Sequence, residues 1–309
     1  MRDPATIRLL PDGRRLHLSD GPIDLIINAD AANFAEIHRA YEAAAQRFVT
    51  ILDELCAELP LLRARVTQDS PMPAGPIARV MACALAPYRN RCFITPMAAV
   101  AGAVAEAVLA AMTQAAQLNR AYVNNGGDIA MYLAAAQSYT IGMVERPDHP
   151  SLFGSLELSA STPVRGVATS GWRGRSFSLG IADAVTVLAQ TAAQADAAAT
   201  IIANAVDLPN HPAISRIPAR DVAPDSDLLD LRVTCAVGPL SRQEITQALD
   251  AGESVATDLC ERGLIYTAAL CLHGQLRILS ELRRDRLLMP SAAGDQPQHI
   301  FSPRSLQHA

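Results

Sequence analysis

Strand-like segments follow one another along this chain, and few helix-like segments separate them. Alternating apolar residues predict strands over residues 137–145, 153–160 and 164–169, and residues 6–28 have the pattern of a hairpin around a Pro-Asp-Gly turn. A strict alternation of strand and helix would predict a parallel sheet, whereas runs of strands favour the α+β class. We therefore expect an α+β fold with a mixed or antiparallel sheet flanked by helices.

Apolar residues spaced three and four positions apart predict four long helices. These helices cover residues 33–62, 95–118, 191–206 and 241–262. Thr95, followed by Pro96, is expected to be the N-cap of the second helix. Ser241 and Glu244 have the spacing of a capping box at the start of the fourth helix.

The composition is that of a folded protein with an aliphatic core. Half of the 309 residues are hydrophobic and 18% are charged, which excludes disorder as the dominant state. Only 4% are aromatic, so Ala, Val, Leu and Ile must build the core. Lysine is absent, and this excludes a Schiff-base lysine, a P-loop lysine and the lysine of a protein kinase.

Residues 1–284 are expected to form one α+β domain. The Pro- and Asp-rich segment 207–229 precedes a last unit of strand, helix and strand pair, so a subdivision near this segment is the alternative. Residues 285–309 are polar and contain Pro and Gln, and we expect them to form a loose C-terminal tail.

Charge and hydropathy argue against nucleic acid and membrane as partners. The formal net charge is −5 and there is no block of basic residues, so the electrostatic footprint of a nucleic-acid-binding protein is missing. The longest apolar run, residues 92–112, is rich in Ala and contains Pro96, Gly102 and Glu106, which favours a buried helix over a membrane span. The Ala-rich helices are equally compatible with a monomer and with an oligomer.

The cysteines give no sign of a metal site or a redox motif. They form no C-x-x-C pair and have no histidine at metal-ligand spacing, so we expect them to be small buried hydrophobic residues. The six are Cys56, Cys83, Cys92, Cys235, Cys260 and Cys271. Residues 1–7 have no apolar core of a signal peptide, and together these features predict a reducing compartment and hence the cytoplasm.

The first candidate site is Asn124-Asn125-Gly126-Gly127-Asp128. Paired glycines let backbone amides approach an anion or a ring closely, and an Asp directly after them can hold a ribose hydroxyl or a metal. An Asn-Gly pair is also the strongest short signal for a hairpin turn. A plain β-turn would explain every residue of the segment except the need for Asp128.

The second candidate is the pair Asp196 and Thr200 in the predicted helix 191–206. Residues four apart project from one face of a helix, and the neighbours are Ala, which leaves room for a ligand. A carboxylate and a hydroxyl suit a hard cation such as Mg²⁺. The alternative is a solvated Asp near a helix start. Asp196 is the only charged residue of this helix, and a lone carboxylate in an apolar stretch requires a partner.

The third candidate is the segment 168–176, in which Thr169, Ser170, Arg173 and Arg175 accompany two glycines and the only Trp. Arg pairs with phosphate and Trp stacks on rings, so this is a candidate loop for a phosphate and an aromatic ring. A hairpin loop with solvated arginines is the alternative.

Taken in order, these segments resemble the ApbE family of flavin transferases. Val123-Asn-Asn-Gly-Gly-Asp-Ile129 is similar to that family's Asn-x-Gly-Gly-Asp-Ile, and Ala168-Thr-Ser-Gly171 to its Ala-Thr-Ser-Gly. The segment that ends in Asp196-Ala-Ala-Ala-Thr200 is similar to the family's strand, turn and helix with an Asp and a Thr four residues later. The resemblance covers residues 34 to 206.

The resemblance implies an ApbE-type α+β fold, with FAD in a cleft and Mg²⁺ held by Asp196, Thr200 and a backbone carbonyl. It implies that Asp196 and Thr200 serve FAD:protein FMN transfer, in which the metal activates the pyrophosphate and FMN passes to a Thr of an acceptor protein. The flavin nucleotide would lie against the first and third segments. Their residues are Asn125, Gly126, Gly127, Asp128, Thr169, Ser170, Arg173 and Arg175.

Two departures from the family pattern leave the activity open. Ala101 stands where the family has Lys, and Leu179 follows Ser178 where the family has His. The chain therefore resembles an offshoot of the family. The enzyme would be an FMN transferase or another Mg²⁺-dependent enzyme that processes FAD. One alternative is a non-catalytic flavin or nucleotide binder in a redox pathway. Another is an ApbE scaffold that acts on a different small molecule, in which Asp183 either leads the chemistry or is a structural turn residue.

Overall fold

The computed structural model describes residues 4–144, 152–280 and 287–288. Its strands are β1 (Thr6–Leu9), β2 (Leu16–Asp20), β3 (Ile23–Asp30), β4 (Arg120–Asn125), β5 (Asp128–Leu133), β6 (Ser138–Val144), β7 (Leu152–Ser159), β8 (Gly166–Ser170), β9 (Ala184–Ala189), β10 (Ile214–Pro218), β11 (Arg232–Val237), β12 (Thr267–Leu272), β13 (Gln275–Ser280) and β14 (Leu287–Leu288). Its helices are α1 (Phe34–Ala57), α2 (Leu59–Leu62), α3 (Pro76–Leu85), α4 (Val100–Ala115), α5 (Ala192–Ala205), α6 (Ala219–Val222) and α7 (Arg242–Glu261).

Nine of these strands form one sheet in the order β1-β2-β3-β4-β5-β8-β9-β12-β13. Every neighbouring pair in it is antiparallel. The α+β class with an antiparallel sheet is therefore confirmed. Two smaller sheets accompany it, β10-β11 and β14-β7-β6.

The two faces of the large sheet are covered differently. Successive side chains of a strand point to opposite faces. Val123, Ala130 and Ala168 belong to the main hydrophobic cluster, which they share with the buried residues of the long helices. Tyr122 and Met131 belong to a second cluster with buried residues of β6 and β7. The helices therefore cover one face of the sheet, and the β6-β7 unit covers part of the other.

Helices α4 and α5 lie at the centre of the helical layer. Helix α4 packs on α1, α5, β4 and β5, and α5 packs on α7, β8 and β9. Their buried residues are mostly Ala and Val, which have small side chains and let the two helices approach closely. This agrees with a core that the composition predicts to be aliphatic.

Among the described residues, the helical stretch Pro96–Ala115 is long and apolar enough to cross a membrane by length and composition, with a mean hydropathy of 1.6. Half of that stretch is buried against other parts of the chain. It is the apolar run for which the sequence predicted a buried helix.

Several local predictions need correction. The first hairpin has a third strand, β3, and the helix predicted for residues 33–62 ends at Ala57, so that Pro60 lies in the short helix α2. Thr95 is at the N-cap position and Pro96 follows it, as predicted, but the Thr95 hydroxyl donates to Asp227 and caps no helix amide. A 3-10 turn, Pro96–Ala99, then precedes α4.

Two further differences concern the surface. Cys260 and Cys271 are buried and Cys92 is half-buried, but the prediction of buried cysteines is wrong for the exposed residues Cys56, Cys83 and Cys235. The segment 207–229 is not a plain linker, because it contains α6 and the strand β10, which pairs with β11. The proline and aspartate residues of this segment indicate a loop, so the strand was not predicted. Its residues alternate between half-buried and exposed.

Candidate functional site

The glycine segment forms the predicted turn between β4 and β5, with Gly126 and Gly127 as its central residues and Asn125 paired with Asp128. Gly126 and Gly127 have φ values of 66° and 119°, which favour glycine at both central positions of the turn. The side-chain oxygen of Asn124 accepts a hydrogen bond from the amide of Gly127 at 2.9 Å. The turn explains both glycines and leaves the side chains of Asn125 and Asp128, the paired residues at its ends, for other contacts.

Asp128 is held by the neighbouring strand. Its Oδ1 accepts a hydrogen bond from the backbone amide of Thr169 in β8 at 3.2 Å. Burial raises the pKa of Asp128 to about 7, although the Thr169 amide and the positive charge of Arg175 both oppose this rise. The carboxylate thus lies where it is poorly solvated and where a cation would be favoured.

Asp196, in the second turn of α5, points at the start of α4. Its Oδ2 accepts a hydrogen bond from the amide of Gly102 at 3.0 Å, and the amide of Ala101 also donates to this carboxylate. Burial raises the pKa of Asp196 well above its usual value, and the negative charge of Asp128 raises it further. The two carboxylates therefore interact electrostatically.

Asn125 connects the turn to the same place. Its side-chain Nδ2 donates to the carbonyl oxygen of Ala101 at 3.2 Å, next to the amides that Asp196 accepts. The β4-β5 turn and the second turn of α5 thus meet at the first turn of α4. The structure brings together Asn125, Asp128 and Asp196, which are far apart in the sequence.

Thr200 lies one helical turn after Asp196 and is half-buried. Its side chain makes no hydrogen bond to another of the described residues. A carboxylate at Asp196, a second at Asp128 and a hydroxyl at Thr200 give only oxygen donors, which are the ligands that Mg²⁺ prefers. Within the described parts of the chain, no group of three His, Cys, Asp or Glu residues could hold a metal ion. A cation here would therefore keep water or a substrate oxygen among its ligands.

The third segment divides into two parts with different partners. Arg173 forms an ion pair with the buried Asp183, with Nε 2.6 Å from Oδ1, and its guanidinium stacks on Trp172 at 4.2 Å from the ring centroid. Asp183 also accepts hydrogen bonds from the Trp172 indole at 3.2 Å and from the His273 amide at 2.6 Å. These contacts fix the loop to the β12-β13 turn and make Asp183 a structural residue.

Arg175 lies instead over the glycine turn. A Cβ atom on Gly126 would lie 3.0 Å from Nη1 of Arg175, so the absence of a side chain there admits the guanidinium. Nη2 of Arg175 donates a long hydrogen bond, 3.4 Å, to the carbonyl oxygen of Pro22. Arg175 is exposed, and its charge acts on Asp128.

Thr169 and Ser170 also differ in position. The hydroxyl of Thr169 pairs with that of Thr186 at 2.9 Å. Because side chains alternate along β8 and Ala168 faces the helices, Thr169 is on the opposite face of the sheet and Ser170 is on the helical face. Of these two residues, only Ser170 shares a face with Asp196, while Thr169 contributes its backbone amide to Asp128.

One residue beside the site was missed by motif analysis. Glu106, in the second turn of α4, accepts a hydrogen bond from the Ala193 amide of α5 at 2.7 Å. Its spacing of four residues from Gly102 was the available signal, because this spacing places both on one face of α4. The contact itself joins residues far apart in the chain, which no local pattern encodes.

A family model matches most of the chain. Residues 7–278 match the model described as AbpE bacteria. The match spans well over half of the sequence and includes all three candidate segments, so it confirms the resemblance that those segments indicated.

Curated relatives are also similar to this chain. A UPF0280 protein of Methanopyrus kandleri is 36% identical over 192 residues, which cover 59% of this chain and 69% of the relative. A UPF0280 protein of Methanothrix thermoacetophila is 37% identical over 160 residues, which cover 51% of this chain and 64% of the relative. The aligned part of the chain spans about two thirds of the length of these relatives.

Two solved structures cover nearly the whole chain at low similarity. The apo form of the Pseudomonas stutzeri flavinyl transferase ApbE has a TM-score of 0.36 and 10% identity, with 91% of this chain and 95% of that chain covered. A mutant of the flavin transferase ApbE from Vibrio cholerae has a TM-score of 0.36 and 13% identity, with 90% and 97% covered.

Proposed function

The chain belongs to the family described as AbpE bacteria, and on that premise we propose that it binds FAD together with Mg²⁺ at the Asp128–Asp196 site. The observation that supports this most strongly is geometric: two half-buried carboxylates, Asp128 and Asp196, lie where the glycine turn reaches the first turn of α4. Two half-buried acids whose charges repel each other would be stabilised by a shared cation.

Asp196 and Thr200 are the proposed protein ligands of Mg²⁺, with a backbone carbonyl near the start of α4. Asp128 is the proposed partner of the nucleotide or of the same cation. When bound, Mg²⁺ would supply positive charge against the pyrophosphate of FAD. The amides of Ala101 and Gly102 fix the Asp196 carboxylate, which reduces the side-chain freedom lost on binding.

Arg175 and Ser170 are the residues of the third segment that we propose to contact the nucleotide. Arg175 lies over the glycine turn and Ser170 faces the helices. Because the first turns of α4 and α5 already donate to protein carboxylates, these helix starts are not free to bind phosphate. The exposed guanidinium of Arg175, beside Asp128, can bind the phosphate instead.

The reaction that we propose is FMN transfer to an acceptor protein. The hydroxyl oxygen of an acceptor Thr forms a bond to the phosphorus of the FMN half of FAD. The bond from that phosphorus to the bridging oxygen breaks, AMP leaves with this oxygen, and the hydroxyl proton is released to water. The residues of this chain bind and orient the pyrophosphate, which is the main requirement of phosphoryl transfer.

A flavin binder without transferase chemistry is the second candidate, and two residues favour it. Ala101, where related flavin transferases are expected to have Lys, offers only backbone groups to Asp196 and Asn125. Leu179, in the position expected for His, donates its amide to Asn204 at 2.9 Å and brings no titratable side chain. Such a protein would carry or present FAD in a redox pathway.

Ligand binding and product analysis separate these candidates. Thermal unfolding is measured with FAD, FMN, NAD and ATP, each with and without Mg²⁺; a ligand at 100 times its Kd adds about 2.7 kcal/mol to stability. We expect a shift with FAD that grows with Mg²⁺. Release of AMP and labelling of an acceptor protein would support the transferase, and a shift without AMP would support the binder. No shift with any flavin would overturn both.

We also propose a cytoplasmic location, supported by scattered cysteines without redox or metal spacing. Fractionation of cells that produce the full protein tests it. Recovery in the soluble fraction inside the cell envelope is expected, and recovery with the membrane or outside the cell would contradict it.

A further inference from the structure

Each of the helices α4 and α5 carries a carboxylate that accepts backbone amides at the start of the other helix. Asp196, in the second turn of α5, accepts the Gly102 amide in the first turn of α4 at 3.0 Å. Glu106, in the second turn of α4, accepts the Ala193 amide in the first turn of α5 at 2.7 Å. The amide of Ala192 and the hydroxyl of Thr191 also donate to Glu106. Each helix thus supplies the acceptor for the other.

The two helix starts are in direct contact. A Cβ atom on Gly102 would lie 2.4 Å from the backbone carbonyl of Ala192 and 2.6 Å from the amide of Ala193. Free amides give a helix start a partial positive charge, so two starts in contact repel each other unless acceptors satisfy them. Glu106 and Asp196 are those acceptors, one for each helix.

These reciprocal hydrogen bonds fix the position of the Asp196 carboxylate in the candidate site. Asp196 can keep one oxygen on the Gly102 amide only while α5 stays in register with α4. Glu106 holds the first turn of α5 directly, three residues before Asp196, and it lies within the half-buried interior of the interface. Loss of the Glu106 carboxylate would leave the amides of Ala192 and Ala193 without an acceptor. Helix α5 would then be free to shift along α4.

We propose that Glu106 is a positioning residue for Asp196, which sets the Asp196 carboxylate for divalent cation binding without contacting the cation. This inference rests on the proposed Mg²⁺ site. It assigns a function to a residue outside the three candidate segments. Outer partners that orient a metal ligand usually change affinity by about 10- to 100-fold when removed.

The test uses Glu106→Ala and Glu106→Gln in the full chain. Titration calorimetry with Mg²⁺ alone should show about 10- to 100-fold weaker binding for Glu106→Ala. Hydrogen exchange followed by NMR should show faster exchange of the Ala193 amide and also of the Gly102 amide, which Glu106 does not touch. Glu106→Gln keeps an acceptor oxygen and should restore both properties. If Glu106→Ala does not fold, Glu106→Asp, which is one methylene shorter, replaces it.

Glu244→Ala is the matched control. Glu244 also accepts an amide at a helix start, that of Ser241 at 2.7 Å before α7, and it is remote in sequence from the site. This variant should leave Mg²⁺ binding and the Gly102 amide unchanged.

The Gly102 amide separates failure of this inference from failure of the proposed function. Unchanged exchange of that amide in Glu106→Ala, or unchanged Mg²⁺ affinity, would overturn the role of Glu106. A wild-type chain that binds no Mg²⁺ would overturn the proposed cation site. The effect of Glu106 on Asp196 would then still be decided by the Gly102 amide alone.

Discussion

The Gly102 amide lies 3.0 Å from the carboxylate of Asp196, and this hydrogen bond ties α4 to the helix that carries the candidate metal ligands. It forms only because Gly102 has no side chain. In isolation, replacing a helical Gly by Ala stabilises a helix by about 1 kcal/mol. Here a Cβ would lie 2.4 Å from the Ala192 carbonyl, inside the contact distance of real atoms.

Gly102→Ala is therefore expected to destabilise the folded chain, although helix propensity alone would predict stabilisation. Forcing α4 and α5 apart should lower the free energy of unfolding by about 3 kcal/mol. Urea unfolding followed by circular dichroism measures it. Gly174→Ala is the control, because Gly174 is exposed and a Cβ there meets only the Gly171 carbonyl at 3.2 Å. If Gly102→Ala were as stable as the wild type or more stable, the close approach of α4 and α5 at Gly102 would be wrong.

Asp183 gives a second prediction, with a built-in spectroscopic signal. It is buried and holds Arg173, the Trp172 indole and the His273 amide. Asp183→Ala leaves these donors without their acceptor and should cost about 3 kcal/mol. Since Trp172 is the only Trp, its fluorescence should shift to longer wavelength as the loop opens to water.

The control for Asp183 is an exposed ion pair. Asp258 pairs with Arg262 and Arg91 on the surface, so Asp258→Ala should change stability by less than about 1 kcal/mol and leave the fluorescence unchanged. An unchanged emission maximum in Asp183→Ala would contradict the proposed structural role of the loop.

The site shows which features a sequence can predict and which it cannot. The turn at Gly126 and Gly127 was predictable because a turn with two positive φ angles is encoded in four adjacent residues. The position of Asp196 and Thr200 one turn apart in α5 was predictable from helical spacing, and their role as metal ligands stays a prediction. The contacts that give these residues their surroundings join distant segments, such as Asn125 to Ala101 and Ala193 to Glu106, and no periodicity encodes them.

The same reasoning explains the separation of the two arginines. Arg173 and Arg175 were equivalent as phosphate ligands in the sequence. Their different positions depend on where Asp183 lies in the fold and on the open space over Gly126. Neither partner can be identified from the loop itself. The three exposed cysteines follow the same rule, because exposure depends on which face of an element is covered.

The carboxylate pair predicts how stability depends on pH. Burial raises the pKa of both Asp128 and Asp196 in the folded chain, whereas the pKa of an Asp in the unfolded chain is about 3.9. As pH rises from about 4 toward 7, the unfolded chain loses these protons first. The folded chain binds more protons in this window, so the free energy of unfolding contributed by the pair decreases with rising pH.

Asp128→Asn should therefore make the stability profile between pH 4 and about 7 flatter than that of the wild type, as measured by urea unfolding. Asp12→Asn is the control of opposite sign. Although burial raises the pKa of Asp12, hydrogen bonds from the amides of Arg15 and Arg14 lower it to about 2. Its stabilisation is lost only at more acidic pH, so this variant should keep the wild-type slope above pH 4. An identical slope in Asp128→Asn would contradict the raised pKa of Asp128.

Arg175 provides the last prediction, which concerns binding rather than stability. Its guanidinium lies over Gly126 and acts on Asp128, and it is exposed with one long hydrogen bond to Pro22. If it binds the pyrophosphate of FAD, Arg175→Ala should weaken FAD affinity by about 10- to 150-fold, since hydrogen bonds to charged groups contribute about 1.5–3 kcal/mol. Flavin fluorescence titration measures this change.

The melting temperature of Arg175→Ala should stay close to that of the wild type, because an exposed arginine whose hydrogen bond to Pro22 is long adds little stability. Arg39→Ala is the matched control: Arg39 is an exposed arginine of α1 that pairs with Glu36, and its loss should leave FAD affinity unchanged. Equal FAD affinity in Arg175→Ala and the wild type would remove Arg175 from the proposed nucleotide site. The charge facing the pyrophosphate would then have to come from the cation alone.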